Sequence, residues 1–258
     1  MDTNRLNTTC QSLRLDTFPE AIASQIGNSE YELAPFDLRL FELLDGQLAA
    51  NKAKKIARFQ KQANLRFPNV FPEDIDFELY PKLKPKLYQQ LISCDWIKAK
   101  QHVLQIGPTG TGKTSLACIF AQAAIALEMP VAFYRLSNLL LELIAAQNEG
   151  ELLKLIRKLN RAALLIIDDW GNALMEKDER HLLFELIESR DGKGSLLITS
   201  QYPIEVWHES FNDSTIADSV LDRIVHNSHK IELEGESIRK LLGQKSLKKS
   251  MGGSNVKH

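Results

Sequence analysis

Eight consecutive residues, Gly107-Pro108-Thr109-Gly110-Thr111-Gly112-Lys113-Thr114, place glycines, a lysine and a hydroxyl at every fixed position of the pattern GxxxxGK[ST]. The chemistry they fit is the capture of a phosphate chain. Glycines at 107, 110 and 112 let successive backbone N–H groups turn toward an anion, and a helix beginning at Lys113 adds the positive end of its dipole. The Lys113 ammonium then reaches the β- and γ-phosphates, and the Thr114 hydroxyl can ligate Mg²⁺. Farther on, Leu164-Leu165-Ile166-Ile167 runs directly into Asp168-Asp169. A buried strand that ends in acids holds them at the carboxyl edge of a sheet, where open α/β folds bind ligands. Asp168 is therefore expected in the Mg²⁺ shell and Asp169 beside the attacking water, to orient or activate it. A helix N-cap after the strand would account for one of these acids but not for the pair.

Three further groups have the right type but a less specific setting. The apolar run Leu196-Leu197-Ile198 stops at Thr199-Ser200-Gln201, whose polar side chains would face a γ-phosphate or its water, or would simply close the strand as turn residues. Arg223 lies in Leu221-Asp222-Arg223-Ile224, and Arg239 in Gly235-Glu236-Ser237-Ile238-Arg239. Each guanidinium fork could neutralise charge on a transferring phosphoryl group or make a structural ion pair.

Positioning such groups requires an α/β scaffold. After Lys100, short apolar runs alternate with helix-period segments, the pattern of a parallel sheet with crossover helices. Strands are expected at Val103–Ile106, Val131–Arg135, Leu164–Ile167, Leu196–Thr199 and Lys230–Leu233. Helices are expected at Lys113–Leu127, Ser137–Gln147, Leu152–Leu159, Glu179–Arg190 and Ile216–Val225. Upstream, Phe36, Leu40, Leu43, Leu44 and Leu48 form an apolar stripe at helical spacing, continued by Ile56 and Phe59 and ended by Pro68. Pro68, Pro72, Pro81 and Pro85 then punctuate an irregular stretch. The expected organisation is a helical N-terminal domain at 1–68, a connector at 69–100, an ATPase-type domain at 101–245 and a flexible basic tail at 246–258. Trp96 and Ile97, just before the first strand, are candidates to cover a nucleotide base.

Length and composition agree with this division. At 258 residues, with 44% hydrophobic and 25% charged, the chain is neither disordered nor collagenous. Runs such as Ala162–Ile167 fall far below the roughly 18 residues of a membrane span, and Met1–Arg14 has no secretory apolar core, so the expected location is the cytoplasm. Cys10, Cys94 and Cys118 form no CxxC pair, which argues against a disulfide framework or a zinc site. The net charge of −1 hides an asymmetry: between Gly46 and Pro72 lie Lys52, Lys54, Lys55, Arg58, Lys61 and Arg66, with no Asp or Glu. A one-sign block of this kind is the footprint of a polyanion or else a solvated helix face.

Together GPTGTGKT, LLIIDDWG, LLITSQ, LDRIVHNSH and GESIRK closely resemble the IstB family of ATPases, helpers of bacterial insertion-sequence transposition related to the DnaC and DnaA AAA+ proteins. The resemblance covers nearly the whole chain, including Phe36–Leu44, Leu65-Arg66-Phe67-Pro68 and Asp95-Trp96-Ile97. It implies an AAA+ fold with ATP and Mg²⁺ as cofactors, ATP-dependent homo-oligomerisation on duplex DNA, and presentation of that DNA to a partner transposase. It also implies Ser200 as the sensor, Arg223 as a finger inserted into a neighbouring subunit's site, Arg239 as a second sensor, and no substantial lid domain after Leu233. Most AAA+ proteins carry Glu where this chain has Asp169, and the shorter arm implies slow turnover. The ATPase motifs do not separate a transposition helper from a DnaC-like helicase loader. A small-molecule kinase is disfavoured because no Arg-rich lid lies between Arg135 and Asp168, and a GTPase because NKxD is absent after the Asp168 strand. A nucleotide-locked scaffold that never hydrolyses is the remaining alternative.

Overall fold

The computed structural model describes residues 3–235 together with Ser237, Ile238 and Lys240. Arg239 and the 246–258 tail lie outside the described residues. The chain divides into two compact units, Met1–Arg58 and Phe59–His258.

In the first unit, α1 (Thr3–Ser12) and α2 (Phe18–Ile26) precede α3 (Phe36–Ala63), a 28-residue helix within which the division between the units falls. The helix expected from the apolar stripe is present, but the stripe is buried only at its far end, where Phe59 lies. Phe36 is 76% exposed and Leu48 67%, whereas Gln47 is buried. Its carboxamide oxygen accepts from the Thr17 backbone N–H at 3.1 Å and the Thr17 hydroxyl at 2.9 Å. Polar bonding of this sort does part of the work of a small apolar core, here including Cys10 and Phe18. The helix ends at Ala63 rather than running on to Pro68, because Asn64 takes a left-handed conformation at φ 51°.

The second unit includes what the proline spacing marks as a connector, and side chains between Tyr80 and Ile97 of that stretch are part of its core. Pro85 stands in the first turn of α4 (Pro85–Ile92), where its missing N–H costs nothing, and α5 (Asp95–Lys98) follows. Tyr80, Leu83, Tyr88, Leu91, Trp96 and Ile97 are all buried. The prolines start helices and turns rather than interrupting the unit.

Five parallel strands follow: β1 (His102–Ile106), β2 (Val131–Arg135), β3 (Leu164–Trp170), β4 (Ser195–Ser200) and β5 (Ser228–Glu232), in the spatial order β2-β3-β4-β1-β5. The connecting helices are α6 (Lys113–Ala126), α7 (Leu136–Asn148), α8 (Leu152–Asn160), α9 (Lys177–Arg190) and α10 (Ser214–Val225). Every strand and crossover helix expected after Lys100 is present, with ends shifted by at most three residues. Strands β1, β3 and β4 are buried on both faces, which is why their sequences read as near-continuous apolar runs. Helix α6 is apolar nearly all round and correspondingly enclosed. At the amino edge of the sheet, the buried Arg190 guanidinium donates to the carbonyls of Leu159, Ala162 and Ser195 at 2.7–3.0 Å. His102 accepts there from the Leu196 N–H, and burial lowers its pKa to about 4, keeping the ring neutral.

Candidate functional site

The strand order dictates where the site must be. Strand β1 delivers the glycine-rich loop and β3 the paired acids, while β4 lies between them and carries its last residues into the gap. In the loop, Gly107, Gly110 and Gly112 have φ of 159°, 91° and 86°. A Cβ at Gly107 would lie 2.0 Å from the Leu233 carbonyl oxygen, and one at Gly112 2.7 Å from the Tyr80 hydroxyl, so the backbone alone fits. Helix α6 starts at Lys113, whose Nζ donates to the carbonyls of Gly107 (2.6 Å) and Pro108 (2.8 Å) and so lies along the inside of the loop. Across the mouth, the Thr109 hydroxyl donates to the Gln201 carboxamide, which in turn donates to Asn172. The first-turn amides of α6, the lysine and a glycine backbone with no room for side chains form a cradle for a phosphate chain.

On the facing strand, Asp168 is fully buried. Its carboxylate accepts from the Thr114 hydroxyl at 2.9 Å and the Thr199 hydroxyl at 2.6 Å. Burial pushes its pKa up; the two hydroxyls and the Arg66 charge oppose that, whereas the neighbouring Asp169 adds to it. A buried carboxylate with a costly charge, beside a threonine hydroxyl, is the donor set that a hard dication would relieve. Asp169 points elsewhere. The β3–β4 register shifts between Ile167 and Trp170, and Asp169 sits in that bulge at φ 63°. There its carboxylate pairs with Arg135 at the end of β2, at 3.2 Å, on the solvent side.

The other expected residues divide between this site and elsewhere. Ser200 is buried, donates to the Trp170 carbonyl at 2.8 Å and accepts from the Tyr202 N–H, so it braces the loop after β3. Of the polar residues that close β4, the one bonded to Asp168 is Thr199, which also accepts from the Asp169 N–H at 3.1 Å. Trp96 and Ile97 are sealed in the core, with the Trp96 indole N–H donating to the Leu91 carbonyl, so neither is available to a base. Arg223 lines a small cavity with His102, Arg190 and Leu196 at the amino edge of the sheet, opposite the glycine-rich loop. It donates to the Ser219 carbonyl and hydroxyl at 2.7 Å and pairs with Glu188 at 2.5 Å. Lys52, Lys54, Lys55, Arg58 and Lys61 all lie on α3, but Lys54 pairs with Asp16 at 2.5 Å despite the absence of acids nearby in sequence. Arg66 departs from that group altogether: it lies beyond the helix, 3.8 Å from Asp168. Sequence spacing could not have found either Arg66 or Arg135 beside the acids, since both arrive from distant segments.

A five-stranded parallel α/β sheet with this loop on β1 and paired acids on β3 defines a P-loop ATPase of the AAA+ class. The chain belongs to the IstB-like ATP-binding protein family, whose model matches residues 8–246. It is similar to the insertion-sequence ATP-binding protein y4pL of Sinorhizobium fredii, with 37% identity over 94% of this chain and 97% of that one. Its likeness to the IS5376 ATP-binding protein of Geobacillus stearothermophilus is 29% identity over 91% and 93% of the two chains. Among solved structures it resembles AMPPCP-bound DnaA from Aquifex aeolicus, with a TM-score of 0.57 and 15% identity over 72% of this chain and 56% of that one. DnaI gives a TM-score of 0.54 with 15% identity, covering 64% of this chain and 92% of that one. These structural likenesses establish the shared fold. No helix among the described residues is long and apolar enough to cross a membrane.

Proposed function

We propose that this ATPase is a transposition helper that assembles on duplex DNA in its ATP·Mg²⁺ form and presents that DNA to a partner transposase. The observation that carries this reading is the assembled phosphate loop and acid pair in a chain whose relatives, matched almost end to end, are named insertion-sequence ATP-binding proteins. That naming favours a helper over a helicase loader, which the shared fold alone would also permit. In the proposed reaction, Lys113 and the loop amides hold the β- and γ-phosphates, and Thr114 and Asp168 would hold Mg²⁺, which would neutralise charge on the phosphates. Asp169 orients and activates the attacking water once released from Arg135. Thr199, bonded to the Asp168 carboxylate and the Asp169 backbone, is the better-placed polar group for sensing the γ-phosphate side, and Ser200 braces the loop after β3. Arg223, distant from its own chain's loop, would act in a neighbouring subunit.

Asp169→Asn separates binding from hydrolysis. Nucleotide affinity should stay within about twofold, while phosphate release measured with and without duplex DNA should fall about 10²-fold, the lower end for loss of a general base. DNA complexes formed with ATP should persist for longer. Normal turnover in this variant would move the catalytic carboxylate elsewhere, and no phosphate release from the wild-type protein under any condition would favour the nucleotide-locked scaffold.

The α3 cations are the proposed DNA contacts: Lys52, Lys54, Lys55, Arg58 and Lys61. If all five meet phosphates, log K should fall with log salt at a slope of about −4.5 per subunit. Changing Lys54, Lys55 and Arg58 together to Gln should flatten that slope by about 3 and weaken binding equally on unrelated duplexes, since phosphate contacts read no bases. DNA-independent ATP binding should be unchanged. An unaltered slope with lost transposase capture would assign this face to the protein partner.

A further inference from the structure

Arg66 belongs neither to the helix that precedes it nor to any of the ATPase motifs, yet it ends beside the most buried acid of the site. Its guanidinium Nη1 lies 3.8 Å from Asp168 Oδ2, while Thr114 and Thr199 bond mainly to Oδ1. The arginine therefore faces the side of the carboxylate that the two hydroxyls leave less occupied. This position is built by several contacts of the short segment that carries it. Asn64 turns the chain out of α3 in a left-handed conformation. The Pro68 carbonyl accepts from Gln122 of α6 at 2.5 Å, and Gln122 is bonded in turn to Gln60 in the last turn of α3. The guanidinium carbon stands 5.7 Å from the centroid of the Phe67 ring. Residues 64–68 thus form a strap pinned to the helix that begins at Lys113, with its one cation directed at Asp168.

We propose that Arg66 is a positioning residue that competes with Mg²⁺ for Asp168, holding the carboxylate until a metal-loaded nucleotide displaces it. The electrostatics require a competition. A guanidinium at 3.8 Å and a dication on the same carboxylate repel each other, so Mg²⁺ can enter fully only as Arg66 withdraws. With the strap itself pinned, metal-bound and metal-free nucleotide would differ in where the Arg66 side chain sits. This inference rests on the reading of Asp168 and Thr114 as the Mg²⁺ side of the site.

The test is the affinity of the intact protein for a fluorescent ATP analogue, titrated across a range of free Mg²⁺ and repeated in EDTA. In Arg66→Gln the Mg²⁺ concentration giving half of the metal-dependent gain in affinity should fall roughly fivefold, the size of a partly exposed ion pair. The affinity in EDTA should be unchanged. Arg66→Lys, which keeps the charge, should remain within about twofold of the wild type. An unchanged or higher Mg²⁺ requirement in Arg66→Gln overturns the proposal. So does weaker binding in EDTA, which would make Arg66 a direct ligand of the phosphates. Asp168→Asn run in parallel keeps the two readings apart: if it leaves the Mg²⁺ response intact, the magnesium assignment itself fails, whereas if it blunts that response and Arg66→Gln does not change it, only the competition is lost.

Discussion

Lys113→Ala is expected to bind ATP at least about 100-fold more weakly than the wild type. The Nζ is held within hydrogen-bond distance of two loop carbonyls, so a phosphate entering the cradle meets a cation already lying along the loop. Removing it deletes a charge-assisted contact of about 3 kcal/mol in an enclosed site. Calorimetric titration with ATP measures the loss, and a melting curve without nucleotide tests whether the loop still folds. ATP-dependent assembly on DNA should disappear with binding. Wild-type affinity in this variant would remove the phosphate-cradle assignment.

Arg223→Ala is expected to bind ATP normally and lose up to about 10³-fold in hydrolysis, the scale of an arginine finger supplied in trans. The geometry makes this a test of assembly. Arg223 sits at the amino edge of its own sheet, tied to Ser219 and Glu188, with the phosphate loop at the opposite edge. In a purely structural role, Arg223→Ala and Glu188→Ala would lower the melting temperature alike and leave turnover per folded molecule unchanged. In the finger role only the arginine variant loses turnover. Mixing it with Lys113→Ala should then restore part of the activity, because one subunit supplies the pocket and the other the finger. Normal ATPase in Arg223→Ala, with no rescue at any ratio, would return the residue to its bond with Glu188.

The sequence by itself determined the phosphate loop, the acid pair and the alternation of strands and helices. Each depends on neighbours within one turn or one strand: glycines where the backbone must reach positive φ, a lysine at the helix start, acids directly after a buried run. Only the tertiary structure decided which polar residue at the end of β4 meets those acids. Thr199 and Ser200 are adjacent and strand alternation sends them to opposite faces; Asp168 keeps its regular register with β2 and meets Thr199, while the bulge in β3 re-aims Asp169. It also decided that Arg66 and Arg135 lie against Asp168 and Asp169, because strap and strand are brought there by the packing of distant segments and not by spacing along the chain. Trp96 and Ile97 made the same point in reverse, their position before β1 being compatible with a base until packing buried them. Local spacing encodes backbone conformation and the order of elements; the pairing of charges across elements follows from which segments become neighbours, as β2 beside β3 brings Arg135 to Asp169.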